Sequence, residues 1–390
     1  MKTPQMLTFR HAPFVALLGV MLTLLSTTAS AQMIPSAPQV EARGYILMDA
    51  ASGQILVEHN AHEPLPPASL TKIMTDYIVA RELDQGNLAL DDKVTVSVNA
   101  WRMGGSKMFI REGTQVDVED LLRGLVIQSG NDATVALAEH IAGGEDAFAE
   151  MMNQQAQKLG LKNSYFVNAT GWPDERQVTT AYDMAVLARA LIRDFPENYA
   201  LYREKSFTYN NITQQNRNLL LWRDPSVDGM KTGHTDAAGF CLVASAEREG
   251  MRLISVVMGT DSEQARARES QKLLNYGFRF FESYQAYGAG ETLTTTRVWM
   301  GTDSEVALGL DDRLMMTIPR GSHEQLNAEM TVNNDVRAPI QQGQQLGTLT
   351  ISQNGEVLLE KPLIALTSVE EAGFFKRLWH HVVLFFSNLF

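Results

Sequence analysis

The chain has 390 residues, 45% of them hydrophobic and 20% charged, with 33 Lys+Arg against 45 Asp+Glu. This balance suits globular domains with ample core and excludes a disordered, collagen-like or disulfide-scaffold protein. A net charge of -12 argues against nucleic acid as a partner, because neutralising phosphates takes a surplus of Lys and Arg. Cys241 is the only cysteine, so neither an intramolecular disulfide nor a cysteine-based zinc site can form.

Residues 1–31 read as a secretory leader. Lys2 and Arg10 precede an apolar run from Phe14 to Leu25, and Ala29-Ser30-Ala31 supplies small residues for cleavage. The run is about 12 residues, short of the roughly 20 that cross a bilayer. A secreted chain without cysteine pairs is stable through its core alone, which fits a bacterial periplasm. Residues 44–50 and 54–59 are strand-like around Ser52-Gly53 and predict an opening hairpin. Pro64-Leu65-Pro66-Pro67 then leads into a helical pattern from Ser69, and helical periodicity returns over residues 118–127, 132–141, 146–159 and 180–192. Residues 237–247 and 251–259 predict two strands joined at Glu249-Gly250, and residues 262–282 a last helix. Strands at both sequence ends with helices between them imply one sheet shared by distant segments, an α+β domain over residues 32–282.

From 283 to 368 short alternating runs dominate, punctuated by Asp311-Asp312, Asn333-Asn334-Asp335 and Asn354-Gly355. They predict a smaller all-β domain. Residues 369–390 differ again: Phe374-Phe375, Leu378-Trp379, Val382-Val383, Phe385-Phe386 and Leu389-Phe390 alternate with Lys376-Arg377, His380-His381 and Ser387-Asn388. At 100° per residue the pairs stack into an apolar and a basic face. The segment reads as a helix lying in the plane of a membrane surface, its basic face toward anionic head groups, in preference to a helix docked on the body.

The chemistry begins at Ser69-Leu70-Thr71-Lys72. At i and i+3 a hydroxyl and an amine share a helical face, and a lysine whose pKa is lowered by burial and a second cation can activate a serine. Ser69 is the only serine with a lysine three residues later. Ser129-Gly130-Asn131 follows between two helical stretches, and Lys231-Thr232-Gly233 leads toward the strand at 237. Each triplet alone reads as a turn; together, in this order, they match the three motifs of penicillin-recognising serine enzymes.

With these residues the chain resembles the low-molecular-mass penicillin-binding proteins of the D-alanyl-D-alanine carboxypeptidase type. The resemblance covers nearly all of the mature chain, including Pro67–Met74, Gln128–Ala133 and Val227–Thr235. It implies that Ser69 attacks the carbonyl between the terminal D-alanines of a peptidoglycan stem pentapeptide, that Lys72 takes its proton, and that Ser129 relays a proton to the departing D-alanine. It further implies that Asn131 orients the substrate amide, Lys231 keeps the site positive and Thr232 bonds the terminal carboxylate. Gly233 completes the third motif, and the oxyanion hole falls to the backbone N–H groups of Ser69 and His234. Arg217 and Arg266 are weaker candidates for the carboxylate pocket, with surface ion pairs as the alternative. β-Lactams, which carry a carboxylate beside a strained amide, are the implied covalent inhibitors. No cofactor is implied, the location is the periplasmic face of the inner membrane, and a homodimer is left open.

No His-Glu-x-x-His, nucleophile elbow, Walker loop or dinucleotide fingerprint occurs; Gly104-Gly105-Ser106-Lys107 lacks phosphate-loop spacing and is expected in a loop near the cleft. Three rivals stay open. A β-lactamase shares the nucleophile, but no Glu-x-x-Leu-Asn follows the second motif at a suitable distance. A DD-endopeptidase would cut crosslinks, and a wall-shape scaffold would retain the site without using it.

Overall fold

The computed structural model describes residues 34–387, with side chains to Leu384. The leader reading and the side chains of the last two apolar pairs lie outside the described residues. From Pro35 on the chain forms one unit. Strands β1 (Gly44–Asp49) and β2 (Ile55–His59) make the opening hairpin. A 3-10 turn, Ala68–Thr71, precedes α1 (Lys72–Asp84). A largely helical insertion follows: β3 (Lys93–Thr95), α2 (Val98–Arg102), β4 (Gln115–Asp117), α3 (Val118–Arg123), α4 (Asn131–Ala142), α5 (Glu145–Leu159), α6 (Ala181–Asp194) and α7 (Pro196–Tyr199). The hairpin β5 (Ser206–Tyr209) and β6 (Ile212–Gln215) and the short α8 (Leu220–Arg223) lead to β7 (Val227–Thr235), β8 (Gly239–Arg248), β9 (Met251–Thr260) and α9 (Glu263–Phe280).

The main sheet is antiparallel in the order β2-β1-β9-β8-β7, so N-terminal and late strands do share it. Its period-2 alternation sorts side chains onto two faces. Ile254, Val256 and Met258 of β9 join the core under the helical insertion, whereas Leu253 and Val257 pack with Leu273, Leu274 and Phe278 of α9. The sheet is buried on both sides, and β7 is left as an edge.

The C-terminal part is all-β. Strands β10 (Phe281–Tyr287), β11 (Thr294–Arg297), β12 (Glu305–Gly309), β13 (Leu314–Pro319), β14 (Leu326–Val332), β15 (Gln345–Gln353) and β16 (Glu356–Ala365) form a five-stranded sheet, β11-β12-β16-β15-β14, and a β10-β13 pair around a separate core. Helix α10 (Phe374–Ser387) ends the described chain. Its polar side faces the β domain: Lys376 Nζ donates to the Thr302 carbonyl at 2.9 Å, and the Met300 N–H donates to His380 Nδ1 at 2.7 Å. Phe374, Phe375, Leu378 and Trp379 are more than half exposed.

Candidate active site

The three motifs converge on one cleft. Ser69 sits at the start of a helical segment, as its spacing suggests, but in a 3-10 turn, Ala68–Thr71, that runs directly into α1, beside Ala68 at φ 46°. Lys72 is the first residue of α1 and is fully buried. Its Nζ donates to Ser69 Oγ at 3.1 Å, Asn131 Oδ1 at 2.7 Å and the Thr170 carbonyl at 2.7 Å. Three acceptors match the three protons of an ammonium. Burial opposes that charge, the Arg217 cation opposes it further, and Asp132 and Glu145 partly compensate, bringing the amine down to about 7. An amine titrating near neutrality in contact with a hydroxyl is fitted to accept its proton.

Ser129 closes a π-helical turn over residues 124–128 in a left-handed conformation, φ 63° and ψ 34°. Its Oγ is buried and has no hydrogen-bond partner among the described residues. Next to it, Asn131 is fixed at both ends of its amide, since Nδ2 donates to the Gly104 carbonyl at 2.8 Å. Asp132 accepts the backbone N–H groups of Met108, Phe109 and Ile110, which holds the 104–110 loop against the start of α4. Gly105 and Ser106 line the cleft as the sequence suggests.

Lys231, Thr232 and Gly233 lie within β7 rather than leading up to a strand. The run Asp-Gly-Met-Lys-Thr-Gly-His-Thr has no alternation to announce it; pairing with β8 makes it a strand. Gly233 has a packing reason: a Cβ there would meet the Pro67 carbonyl at 3.1 Å and the Ala68 and Leu70 side chains at 3.3 Å. The bare backbone lets the Ala68–Thr71 turn rest on the strand. Lys231 is 2% exposed, and its Nζ donates to the Thr232 carbonyl at 3.1 Å. Burial, then Lys72, Arg217 and Arg266, hold it well below the ordinary lysine range.

Both candidate arginines line the cleft. Arg266, on α9, is buried and donates to the Gly233 carbonyl at 3.3 Å. Arg217 is exposed and, among the described residues, makes no hydrogen bond or ion pair, so its cation is free for an incoming anion. His234 stacks on Phe240, with ring centroids 3.9 Å apart. The resulting cavity is about 750 Å³, lined by Ser69, Ser129, Asn131, Arg217, Thr232, His234 and Arg266 among others. No group of three or more metal-ligating side chains occurs among the described residues.

Motif reading missed the segment 168–172. Asn168 Oδ1 accepts the backbone N–H groups of Thr170, Gly171 and Trp172 at 3.2, 2.8 and 3.0 Å. This staple aims the Thr170 carbonyl at Lys72. Gly171, at φ 84°, is required there, because a Cβ would lie 1.8 Å from the Ala68 carbonyl oxygen. Trp172, half exposed, lays its ring over Gly104 and Gly105 on the other wall. Asn168 followed by Thr170-Gly171 is a turn signature, but nothing local tells which lysine it serves.

Comparison with known proteins agrees with the geometry. A profile described as D-alanyl-D-alanine carboxypeptidase matches residues 31–262, and one for the penicillin-binding protein 5 C-terminal domain matches residues 281–371. The chain is similar to D-alanyl-D-alanine carboxypeptidase DacC of Escherichia coli, 48% identical over 93% of each chain, and to DacA of the same organism, 43% identical over 92% of this chain and 91% of that one. Among solved structures it resembles penicillin-binding protein 5 of Haemophilus influenzae, with 44% identity, TM-score 0.84, and 86% of this chain and 100% of that one covered. It also resembles penicillin-binding protein D2 of Listeria monocytogenes in its ampicillin-bound form, with 30% identity, TM-score 0.58, and 63% and 100% covered. The chain belongs to the D-alanyl-D-alanine carboxypeptidase family of serine hydrolases and carries the C-terminal domain of penicillin-binding protein 5.

Proposed function

We propose that this D-alanyl-D-alanine carboxypeptidase removes the terminal D-alanine of peptidoglycan stem pentapeptides, with Ser69 as nucleophile and Lys72 as its base. The observation that carries this is the buried Lys72 Nζ in contact with Ser69 Oγ, beside a cleft lined by Thr232 and by Arg217, which makes no hydrogen bond or ion pair among the described residues, with Lys231 buried next to Thr232 on β7. A C-terminal carboxylate calls for cations and a hydroxyl at one end of the cleft, and these three supply them. The free edge of β7 suits an extended peptide, which would add as a further strand. Attack by Ser69 Oγ on the carbonyl moves the hydroxyl proton to Lys72 and negative charge onto the carbonyl oxygen. The N–H groups of Ser69 and His234 receive that charge. The Ser129 hydroxyl, buried with no hydrogen-bond partner among the described residues, relays that proton from Lys72 to the leaving amine as the C–N bond breaks. Asn131 holds Lys72 and the substrate amide, and water then releases the shortened peptide from Ser69.

Penicillin has a carboxylate at a similar distance from its reactive amide and acylates the same serine. The exposed apolar stripe of α10 supports peripheral attachment to the periplasmic face of the inner membrane; no helix of the described residues is long and apolar enough to cross one. The processed chain starts after residue 31, with the catalytic domain over 32–282, the β domain over 283–368 and the terminal helical segment beyond. The test is mass spectrometry after penicillin treatment, with D-alanine release from a pentapeptide measured alongside. An adduct on Ser69 together with release supports the proposal. Penicillin turnover without D-alanine release refutes it.

A further inference from the structure

Two buried lysines carry the chemistry, and they belong to different elements: Lys72 to α1 and Lys231 to β7. Segment 196–204 touches both elements. On the α1 side it meets Asp76, one turn beyond Lys72 and completely buried. Asn198 Nδ2 donates to Asp76 Oδ1 at 2.7 Å, and Tyr202 Oη donates to Asp76 Oδ2 at 2.8 Å. On the β7 side Tyr199 Oη donates to Asp228 Oδ1 at 2.7 Å. Asp228 is gripped by Arg252, whose Nη1 and Nη2 each donate to one carboxylate oxygen at 2.8 Å. The Tyr199 and Tyr202 rings stack at 5.6 Å, so the two ends are joined through aromatic faces rather than loose chain. Tyr199 lies so close to β7 that a Cβ on Gly229 would come 2.5 Å from its hydroxyl.

The same segment also sets the strand-side arginine. Asn216 Nδ2 donates to the Glu204 carbonyl at 3.1 Å, and Asn218 Nδ2 donates to the Gly229 carbonyl at 3.0 Å. Arg217 lies between these two buried amides, its own side chain without a hydrogen bond or ion pair among the described residues. One brace thus touches the elements bearing the base, the strand lysine and the free cation, and none of its side chains lines the cleft.

We propose that residues 196–204, clamped between Asp76 and Asp228, are a strut that sets the spacing of Lys72, Lys231 and Arg217, and that Asp76 and Tyr199 are positioning residues for acylation of Ser69. The inference rests on the catalytic reading above and adds residues to it. Two features beyond the distances support it. Burying a carboxylate is costly, which raises Asp76 to about 6, so the group is kept in spite of stability rather than because of it. Acyl transfer is also steep in geometry, and a displacement of ~1 Å can cost ~100-fold.

The experiment measures the second-order rate constant for acylation by a fluorescent penicillin across pH, well below the thermal midpoint of every variant. D76A should lose about 10-fold or more, and the acidic limb of its profile should move to higher pH as water reaches Lys72. D76N should recover to within about 3-fold of the parent, because its amide can still accept from Asn198 and donate to the Tyr202 oxygen. Y199F should lose several-fold. Since D76A and Y199F break one strut, their double variant should be little slower than the slower single. Acylation at the parent rate in folded D76A and Y199F overturns the proposal, and so do losses that multiply in the double variant. Should D76A fail to fold, Y202F and Y199F, each lacking one hydroxyl, carry the test. A parent that penicillin does not acylate would refute the catalytic reading instead.

Discussion

The titration of Lys72 makes the sharpest demand on the mechanism. Its amine, lowered to about 7, must be neutral to take the Ser69 proton. Acylation therefore rises with pH through 7, flattens about one unit above, and at pH 6 runs about 10-fold below the plateau, since one unit of pH is tenfold in the neutral fraction. Burial is the main cause of the lowered value and Arg217 is the next, so R217Q should let the ammonium persist to higher pH. Arg217 is exposed and water screens it, so its share is smaller than that of burial and the limb should move only modestly. The assay is stopped-flow acylation by fluorescent penicillin from pH 5 to 9. The plateau of R217Q should also drop through weaker carboxylate binding, but the position of the limb does not depend on its height. A parent limb near the ordinary lysine value of 10.5, or an R217Q limb that stays put or moves down, would refute the assignment of Lys72 as base.

Other outcomes follow from single contacts. Gly171→Ala places a methyl 1.8 Å from the Ala68 carbonyl and needs a left-handed alanine, so penicillin labelling should fall at least 10-fold while the β domain keeps its near-ultraviolet signal. Asp76 titrates in the fold near 6 against 3.8 when unfolded, so its ionisation weakens the fold as pH rises through that window. Asp76→Asn should therefore be more stable than the parent by up to about 2 kcal/mol at pH 7.5, with the gap closing by pH 4 in denaturant titrations. Ser129→Ala should slow D-alanine release far more than it lowers the melting temperature, because the lost hydroxyl has no hydrogen-bond partner among the described residues.

How much of this was legible beforehand depended on how local each signal is. Ser69 and Lys72 announce themselves because i and i+3 along a turn are neighbours whatever the tertiary fold. The opening hairpin, α4 to α6 and the terminal helix follow from periodicity, and Thr180 even caps α6 by accepting the Asp183 N–H. Strand β7 was not legible: its glycines, lysine and histidine are poor strand residues, and only its contacts with β8 and the Ala68–Thr71 turn explain them. The 118–127 pattern is correct as a helix but hides its switch to π geometry, which is what delivers Ser129 in a left-handed turn. Thr170 acts through a carbonyl, and a backbone oxygen leaves no trace in residue identity. Asp76 reads as one more polar residue on a helix until Tyr202 and Asn198 are seen to close over it.

The terminal helix shows how a correct pattern can be turned the other way round. Its basic residues were expected to meet lipid head groups, yet Lys376 and His380 bond the β domain backbone and Arg377 pairs with Glu371 at 2.5 Å. The His380 imidazole accepts through Nδ1, and burial with the nearby cations Lys376 and Arg297 lowers its pKa, so this latch is neutral at pH 7. What faces outward is Phe374, Phe375, Leu378, Trp379 and Val382. Burying a large apolar side chain contributes about 1.5–3 kcal/mol, so this stripe alone is ample for peripheral binding. Attachment should accordingly depend on apolar burial more than on lipid charge. Cutting after Gly373 leaves the Ile340–Val369 pairing and the Ala372 N–H to Met300 carbonyl bond intact, so the shortened protein should stay folded and active. In flotation assays the full-length protein should bind neutral vesicles within a few-fold of anionic ones and resist 0.5 M salt, while the shortened form stays in solution. Binding confined to anionic vesicles and abolished by salt would mean that the latch opens and the basic face, not the aromatic one, meets the lipid.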